Sequence, residues 1–371
     1  MRKSLKRALK IAGLVFGSIV VLLAVAILLV LFDKPLIRKI SQSYITKKAG
    51  LPIQIGKLDY TLFPLHVTLS EVKTTSRTPI FTMDVVVNRL EAAGNLRRLL
   101  KGTKPAFDTV DADIAELRFD QEKISPEPID FRGIILQTSS ILAYTRQASI
   151  TCGRMSVTLP GQNFAFDNLT LALSKAAAAN VYDLRLASDK ATAGMNEGHL
   201  SLESPLRVDG TLTLARSAAA NLRLALDAAH FTAAGRDETL QDLTLDIDGA
   251  WDTSENGVRV ANLALGVPGL VAVSASGSAG LNKPLSLEAS GNFRFESLQF
   301  LAVVLGPSLP PDFRDVRLRG RSRLAGTYML SLGSDAKAGS LEASLELDRF
   351  GLEYDKAGTP LKLELSGTLK A

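Results

Sequence analysis

The chain has 371 residues, 46% of them apolar but only 6% aromatic, so Leu, Val and Ala must supply most of any buried surface. Its single cysteine, Cys152, excludes an internal disulfide, and three scattered histidines (His66, His199 and His230) are poor material for a metal site. The net charge of +5 is divided unevenly, because residues 1–104 hold 18 basic and 5 acidic side chains and the remainder holds 25 and 33. A basic N-terminal part favours contact with an anionic membrane surface over nucleic-acid binding, for which no sequence motif is present.

An apolar stretch lies close to the N-terminus, at residues 11–32, which begin with Ile11 and end with Phe32. These 22 residues carry no charge and would form about 33 Å of helix, enough to cross a bilayer core of about 30 Å. A cleaved signal peptide has a shorter apolar core, and here six apolar residues follow the only small-residue match, Ala24-Val25-Ala26. We therefore predict a retained transmembrane helix.

The charges that flank this stretch predict its orientation. Residues 1–10 contain five basic and no acidic side chains, and basic flanks of this kind stay in the cytoplasm. Long downstream domains are exported largely regardless of their charge. The predicted organisation is a cytoplasmic tail at residues 1–10, a single span at 11–32, an amphipathic juxtamembrane helix at 33–50 and an exported β-rich domain at 51–371.

The juxtamembrane helix is predicted from Pro35 to about Lys48, with Gly50 closing it. The apolar side chains that fall near one of its faces are Ile37, Ile40, Tyr44 and Ile45. The basic side chains predicted to contact lipid head groups are Lys34, Arg38, Lys39, Lys47 and Lys48. Two interpretations stay open: the helix lies on the membrane surface, or it packs as a linker on the first strands.

From residue 51 onward the apolar pattern has a period of two, which is typical of antiparallel strands with one covered face. At about 12 residues per strand and turn, the chain would form about 25 strands. Turns are predicted at Asp209-Gly210, Asp248-Gly249, Asn256-Gly257, Pro268-Gly269 and Ala357-Gly358. The candidate residues of the covered face are Leu212, Leu214, Leu222, Leu224, Leu226, Leu243, Leu245, Ile247, Leu263 and Leu265.

Two architectures fit this alternation. In a sandwich, two sheets bury each other's apolar faces. In the other architecture, one long twisted sheet curls into a trough whose apolar face stays open enough to hold acyl chains. The residues alone do not decide between a closed sandwich and an open groove.

The order of several motifs resembles the AsmA-like family of Gram-negative envelopes, which are relatives of TamB. A membrane helix and a short helix ending in Gly precede LPIQIGKLDYTLFPLHVTLSEV, FTMDVVVNRLEA, the short helical segment NLRRLLKG and FDTVDADIAELRF. Further on, FESLQFLAVVLGPSLPPDFRDVRLRGRSRLAG resembles the family's recurrent helix, Pro-rich turn and return strand. The resemblance covers most of the chain in pattern.

This resemblance implies a fold and a function. Members of the family look like bridge-type lipid carriers with a chorein-like N-terminal end and a hydrophobic β-groove. We therefore expect a mainly β protein with one N-terminal transmembrane helix, anchored in the inner membrane with its bulk in the periplasm. Its expected function is phospholipid transport between inner and outer membranes and outer-membrane homeostasis. The alternative is a non-enzymatic scaffold that recruits outer-membrane proteins through its sheet edge.

Motifs for catalysis are scarce in the sequence. It contains no G-x-S-x-G, H-E-x-x-H, phosphate loop or C-x-x-C. Ser70 and Lys73 match S-x-x-K, but they lie on a strand-like stretch without the companion motifs. We expect no enzymatic activity and no cofactor.

The C-terminal end of the chain is strand-like, because Ala371 directly follows LKLELSGTLK. A bare strand edge there predicts either a short family member or part of a longer one. In both cases we expect an outer-membrane or periplasmic protein partner at this end, in addition to membrane phospholipids.

Overall fold

The computed structural model describes residues 34–49, 52–77, 81–121, 138–140, 142–178, 180–195, 200–214, 217–233, 236–252, 257–280, 286–297, 316–332, 337–356 and 359–370. The described chain is mainly β. Its helices include α1 (Lys34–Ala49) and α2 (Leu96–Leu100), and residues 138–140 and 142 are also helical. The strands are β1 Ile53–Leu62, β2 Leu65–Arg77, β3 Phe81–Gly94, β4 Phe107–Gln121, β5 Thr145–Leu159, β6 Gln162–Lys175, β7 Val181–Met195, β8 Leu200–Leu214, β9 Ala218–Ala233, β10 Arg236–Asp252, β11 Gly257–Val267, β12 Val271–Gly280, β13 Ser286–Phe295, β14 Val316–Leu332, β15 Lys337–Lys356 and β16 Thr359–Lys370.

The strands form one sheet whose order follows the chain from β1 to β16. The described residues form 16 strands rather than the predicted number of about 25, because most of the strands are themselves longer than the 12 residues assumed for a strand and its turn. Neighbouring strands run antiparallel with one exception in the described ladders: β4 and β5 are parallel, with Phe107 opposite Thr145. This exception corrects the purely antiparallel prediction.

The predicted turns have mixed outcomes. Pro268-Gly269 is confirmed as the connection between β11 and β12, where Gly269 has a left-handed φ of 71° that favours glycine. Asp209-Gly210 is wrong, because both residues lie inside β8. Asp248-Gly249 is also wrong, because it lies inside β10, where the pairing with β11 shifts register. A bulge accommodates this dipeptide without ending the strand.

The two remaining predicted turns fall at hairpins whose tips lie outside the described residues. Gly257 is the first residue of β11, and Asn256 is not described. Ala357-Gly358 likewise lies outside the described residues, between β15 and β16.

The chain divides into two compact units. Unit 1 comprises the described residues up to Ala193 together with those of Arg207–Ala218, and unit 2 those of Gly194–Leu206 and from Ala219 onward. The main core of unit 1 is built by strands β1 to β5 and by Leu96 of α2. A smaller cluster in unit 1 contains Leu142, Tyr182 and Leu214. The core of unit 2 contains Leu226, Ala229, Leu240, Val267 and Val271.

Candidate functional site

The pairing of β10 to β16 brings the apolar side chains of unit 2 onto one face of the sheet. Residues directly opposite each other in neighbouring strands point to the same side, so the register assigns each residue to a face. The first row across the strands is Leu245, Leu265, Val273, Phe293, Gly326 and Ala343. The second row is Ile247, Leu263, Ala275, Gly291, Tyr328 and Leu341. The third row is Val267, Val271, Phe295, Leu324, Leu345 and Leu369.

These three rows, together with Leu287, Leu330 and Leu332, are called the unit 2 face below. Leu287 lies opposite Leu332, and Ala289 lies opposite Leu330, which continues the same face toward the other end of β13 and β14. No charged residue occurs in the rows. The face is therefore continuous and apolar over the strands that compose it.

The unit 2 face is buried at one corner and exposed elsewhere. Val267 and Val271 are 3% and 6% exposed and pack with Leu226 and Leu240. By contrast, Leu341 is 64% exposed. Other large apolar side chains of the face that remain at least one-third exposed are Leu263, Leu287, Leu330, Leu332 and Leu369. Exposed apolar side chains that adjoin one another in this way mark a binding surface more often than singly scattered ones.

The opposite face of the same strands is polar. Its central row is Asp246, Ala264, Ser274, Asn292, Thr327 and Glu342. Close to this row, Arg323 lies 3.8 Å from Glu346 and 3.9 Å from Glu296. Met329 is an exposed apolar side chain on this polar face, between Ser290 and Ser340. Water can therefore solvate one side of the sheet while the other side presents hydrocarbon.

Two aromatic side chains lie over glycines in the middle of the unit 2 face. Phe293 is opposite Gly326, and a Cβ atom placed on Gly326 would come within 2.7 Å of Phe293 Cζ. Tyr328 is opposite Gly291, where an added Cβ would lie 2.8 Å from the Tyr328 hydroxyl oxygen. The same hydroxyl donates to the Ser274 carbonyl oxygen on β12 at 3.4 Å. The rings thus cover the backbone of the neighbouring strand, a recognised way of stabilising glycine within a sheet.

The ten candidate face residues from the sequence all lie on strands β8 to β11. Leu245 is directly opposite Leu265, and Ile247 is directly opposite Leu263. Leu224 and Leu243 pack against the core that contains Leu226. Leu222, on β9, is half-buried.

The candidates Leu212 and Leu214 belong to the other unit. Leu214 packs with Leu142 and Tyr182, and Leu212 is half-buried on β8. The candidate set also ends at β11, whereas the unit 2 face continues to β16. The sequence signal for this continuation was the alternation of apolar residues at Val271/Val273, Leu345/Leu347 and Leu361/Leu363/Leu365.

The predicted head-group contacts on α1 have different environments. Arg38 does not extend freely into solvent, because its Nη1 donates to the Gly56 carbonyl oxygen at 2.6 Å. Lys39 and Lys47 are exposed. The side chains of Lys34 and Lys48 lie outside the described part of the structure.

Helix α1 confirms the helix predicted from Pro35 to about Lys48, and it packs against β1 through polar side chains. Besides the Arg38 contact, the Ile53 amide donates to Thr46 Oγ1 at 3.2 Å and the Ile55 amide to Gln42 Oε1 at 3.4 Å. These contacts agree with the linker interpretation. Of the predicted apolar face, Ile40 is 40% exposed and Tyr44 is half-buried, whereas the side chains of Ile37 and Ile45 lie outside the described part of the structure. The polar side chain of Ser41 is buried.

The predicted span at residues 11–32, including Ile11 and Phe32, lies outside the described residues. In the described part of the chain, no helix combines the length and the apolar character that crossing a membrane requires.

Candidate catalytic or metal-binding groups are few in the part of the chain that the structure describes. No group of three or more His, Cys, Asp or Glu side chains there is arranged to hold a metal ion. Ser70 and Lys73 lie on strand β2. Cys152 is buried, its Sγ donates to the Arg154 carbonyl oxygen at 3.3 Å, and burial raises the pKa of its thiol. A thiol in this setting is a poor nucleophile.

Comparison of the chain with protein-family models, with curated proteins and with solved structures finds no match.

Proposed function

We propose that this chain is an AsmA-like lipid carrier, anchored in the inner membrane by residues 11–32, with its β-rich part in the periplasm. In this proposal the sheet curls into a groove, and the unit 2 face shields the acyl chains of phospholipids that move between inner and outer membranes. The lipid head groups stay in solvent at the rim. No chemical step and no cofactor is part of this function.

The observation that supports the proposal is the unbroken, partly exposed apolar surface of unit 2. Two rows of side chains continue across β10 to β15 and a third across β11 to β16, all without a charge, and Leu341 at the end of one row is 64% exposed. Acyl chains are bound by burial of apolar area and need no precisely placed polar partner. A surface of Leu, Val, Ile, Phe, Tyr, Ala and Gly residues meets that requirement.

The polar face supports the same proposal. Asp246, Asn292 and Glu342 share a row on the other side of the strands, and Arg323 forms cross-strand ion pairs near it. The sheet therefore has one side suited to the aqueous periplasm and one suited to hydrocarbon. This asymmetry is what a carrier that shields acyl chains from water needs.

The scaffold alternative receives less support at the β1 edge of the sheet. A partner strand that added to β1 would need free backbone groups there. The amides of Ile53 and Ile55 and the carbonyl of Gly56 are already bonded to α1. Helix α1 thus covers part of the edge that such a partner would use.

A photo-crosslinking experiment tests the lipid proposal with a matched pair of positions. Leu341 and Met329 are 64% and 62% exposed but lie on opposite faces, Leu341 opposite Tyr328 and Met329 opposite Ser340. A benzophenone amino acid at position 341 should crosslink phospholipid in cells, and the same probe at position 329 should crosslink little. Mass spectrometry of the adducts identifies the lipid.

A charge substitution provides a second measurement. Leu341→Glu should reduce the phospholipid that co-purifies with the protein severalfold, because a carboxylate disfavours adjacent hydrocarbon. Met329→Glu, on the polar face, should leave it unchanged. Equal crosslinking at both positions, or equal lipid content in both variants, would rule out the unit 2 face as the lipid-binding surface.

A further inference from the structure

We propose that one end of unit 1 docks on the surface of a bilayer that contains anionic phospholipid. This end, called the unit 1 tip, presents Phe63, Arg97, Leu100, Lys101 and Lys104. The proposal rests on the membrane anchoring in the proposed function but not on lipid carriage by unit 2. It adds a membrane contact outside the apolar segment at residues 11–32 and outside α1.

The register of β1 to β4 brings the parts of the tip together. Leu62 is opposite Leu65 across the β1–β2 turn, and Leu65 is opposite Gly94 at the end of β3. Gly94 is in turn opposite Phe107 at the start of β4. The β1–β2 turn, which contains Phe63, therefore lies at the same end of the sheet as the β3–β4 connection, which contains α2.

Helix α2 is fixed with one side in the core and the other in solvent. Leu96 is buried, Leu99 packs against the same core, and the Asn95 side chain caps the helix by accepting from the Arg98 amide at 3.2 Å. Arg97, Leu100 and Lys101 fall at i, i+3 and i+4, so they share the outward side. Leu100 is accordingly 64% exposed.

The other two residues of the tip are also held in position. Phe63 is 78% exposed in a turn that the Thr61 hydroxyl closes by donating to the Pro64 carbonyl oxygen at 2.8 Å. The Lys104 ammonium lies 4.4 Å from the centre of the Tyr144 ring. The exposed Phe and Leu side chains are therefore carried by ordered backbone.

The charge of the tip fits an anionic surface. Residues 61–64 and 95–106 contain four basic and no acidic side chains. Asp108 on β4 faces this connection and lies 3.3 Å from Arg98. This ion pair does not compensate the positive charges of Arg97, Lys101 and Lys104. Basic residues around exposed aromatic and aliphatic side chains are typical of surfaces that dock at the lipid head-group region. Each basic residue near such a surface strengthens binding about fivefold.

The direction of α1 gives an independent reason to expect a membrane at this end. Thr46 of α1 is bonded to Ile53 of β1. One turn earlier in the helix, Gln42 is bonded to Ile55, and a further turn earlier, Arg38 is bonded to Gly56. The start of α1 at Lys34 therefore points along β1 toward the Phe63 turn. The predicted membrane span precedes Lys34 in the sequence, and the described part of α1 begins on the side of the tip.

Fluorescence quenching by brominated phospholipid tests the proposal. The full chain, with Trp251→Phe to remove its single tryptophan and Phe63→Trp to report on the tip, is reconstituted into vesicles of neutral phospholipid and phosphatidylglycerol. Bromine on the acyl chains near the head groups should quench the Phe63→Trp indole at least twofold more than an indole introduced by Thr158→Trp, an exposed position of unit 1 at the end of β5 away from the tip. Without phosphatidylglycerol, the quenching of Phe63→Trp should weaken.

Charge variants separate docking from folding. Arg97→Glu, Lys101→Glu and Lys104→Glu together should reduce the quenching to the level of the Thr158→Trp reporter. Lys101→Arg with Lys104→Arg should retain it, as should Lys73→Glu with Arg77→Glu near the other end of β2. Circular dichroism of each variant verifies the fold.

The outcomes also distinguish the two proposals. If the chain floats with the vesicles but the Phe63→Trp indole is quenched no more than the Thr158→Trp indole, tip docking is wrong and the anchor stands. A chain that does not float with the vesicles overturns both the anchor and the docking. Quenching that persists in Leu341→Glu while that variant loses its lipid supports the tip as a surface separate from the unit 2 face.

Discussion

Apolar residues alternate along the strands of both units, yet the two units bury them to different extents. In unit 1, Phe107, Leu65 and Phe81 are at most 2% exposed and belong to one core. In unit 2, Leu341 and Leu369 are 64% and 65% exposed on a face of the same alternating kind. Alternation therefore identifies which side of a strand is apolar, but it does not reveal whether anything covers that side.

Side-chain size explains part of this difference. The unit 1 core contains Phe81 stacked on Phe119 with ring centres 5.6 Å apart, and Leu96 of α2 adds to it. The rows of the unit 2 face instead include small residues, namely Ala275, Gly291, Gly326 and Ala343. Small residues bury little area, so unit 2 gains less stability from its apolar side chains than unit 1 does. We expect its stability to depend more on backbone pairing and on the ring–glycine contacts.

The largest expected effect compares core truncation in unit 1 with truncation on the unit 2 face. Phe107→Ala should lower the free energy of unfolding of unit 1 by about 3–5 kcal/mol, because it leaves a cavity where a fully buried ring was. Leu341→Ala should change stability by about 0.5 kcal/mol or less, because the side chain is mostly exposed. Urea unfolding followed by circular dichroism, with hydrogen exchange to assign the change to a unit, measures both.

Similar losses for Phe107→Ala and Leu341→Ala would contradict this comparison. They would show that Leu341 is covered in solution and that the unit 2 face is a closed core. Lipid-free protein must be used for the measurement, because bound lipid would itself stabilise unit 2.

A pair of glycines tests the ring contacts within unit 2. Gly326→Ala should destabilise unit 2 by about 1–3 kcal/mol, because the new Cβ would collide with Phe293 Cζ and with the Glu342 carbonyl oxygen. Gly339→Ala, on the adjacent strand, places its Cβ 3.6 Å from the nearest atom, the Met329 carbonyl oxygen. It should be neutral or stabilising by about 0.4–1 kcal/mol, because alanine restricts the unfolded chain.

Thermal unfolding of the two variants measures the difference in sign. If both glycine variants are neutral, Phe293 moves aside without cost, and the rings do not stabilise the face. Gly326→Ala combined with Phe293→Ala provides the control, since removal of the ring should relieve part of the collision.

Local sequence signals predicted the local elements well. NLRRLLKG was predicted as a short helix, and α2 begins directly after its capping Asn95. The period-two pattern from residue 51 onward predicted strands with one covered face, and on β3 the alternating residues Phe81 and Met83 are both buried. These features depend on residues close in sequence, whose periodicity and capping chemistry can be read directly.

Features that depend on strand partners could not be predicted in the same way. The parallel pairing of β4 with β5 joins Phe107 to Thr145 across a long connection, and nothing near either residue specifies that direction. The contact of Phe293 with Gly326 requires the register of β13 on β14. Asp209-Gly210 resembles a turn locally, but pairing with neighbouring strands retains it inside β8.

The smallest expected effect concerns the polar contacts of α1 with the edge of unit 1. Gln42→Ala and Thr46→Val should each cost about 1 kcal/mol, because each removes the acceptor of a β1 amide. Hydrogen exchange at the amides of Ile53 and Ile55 should then accelerate about fivefold, whereas exchange in unit 2 should not change.

Lys39→Ala and Lys47→Ala, on the exposed side of α1, are the matched controls and should leave these amides protected. Unchanged protection in Gln42→Ala and Thr46→Val would mean that α1 does not hold this edge, and β1 would then be open to a partner strand, as the scaffold alternative requires.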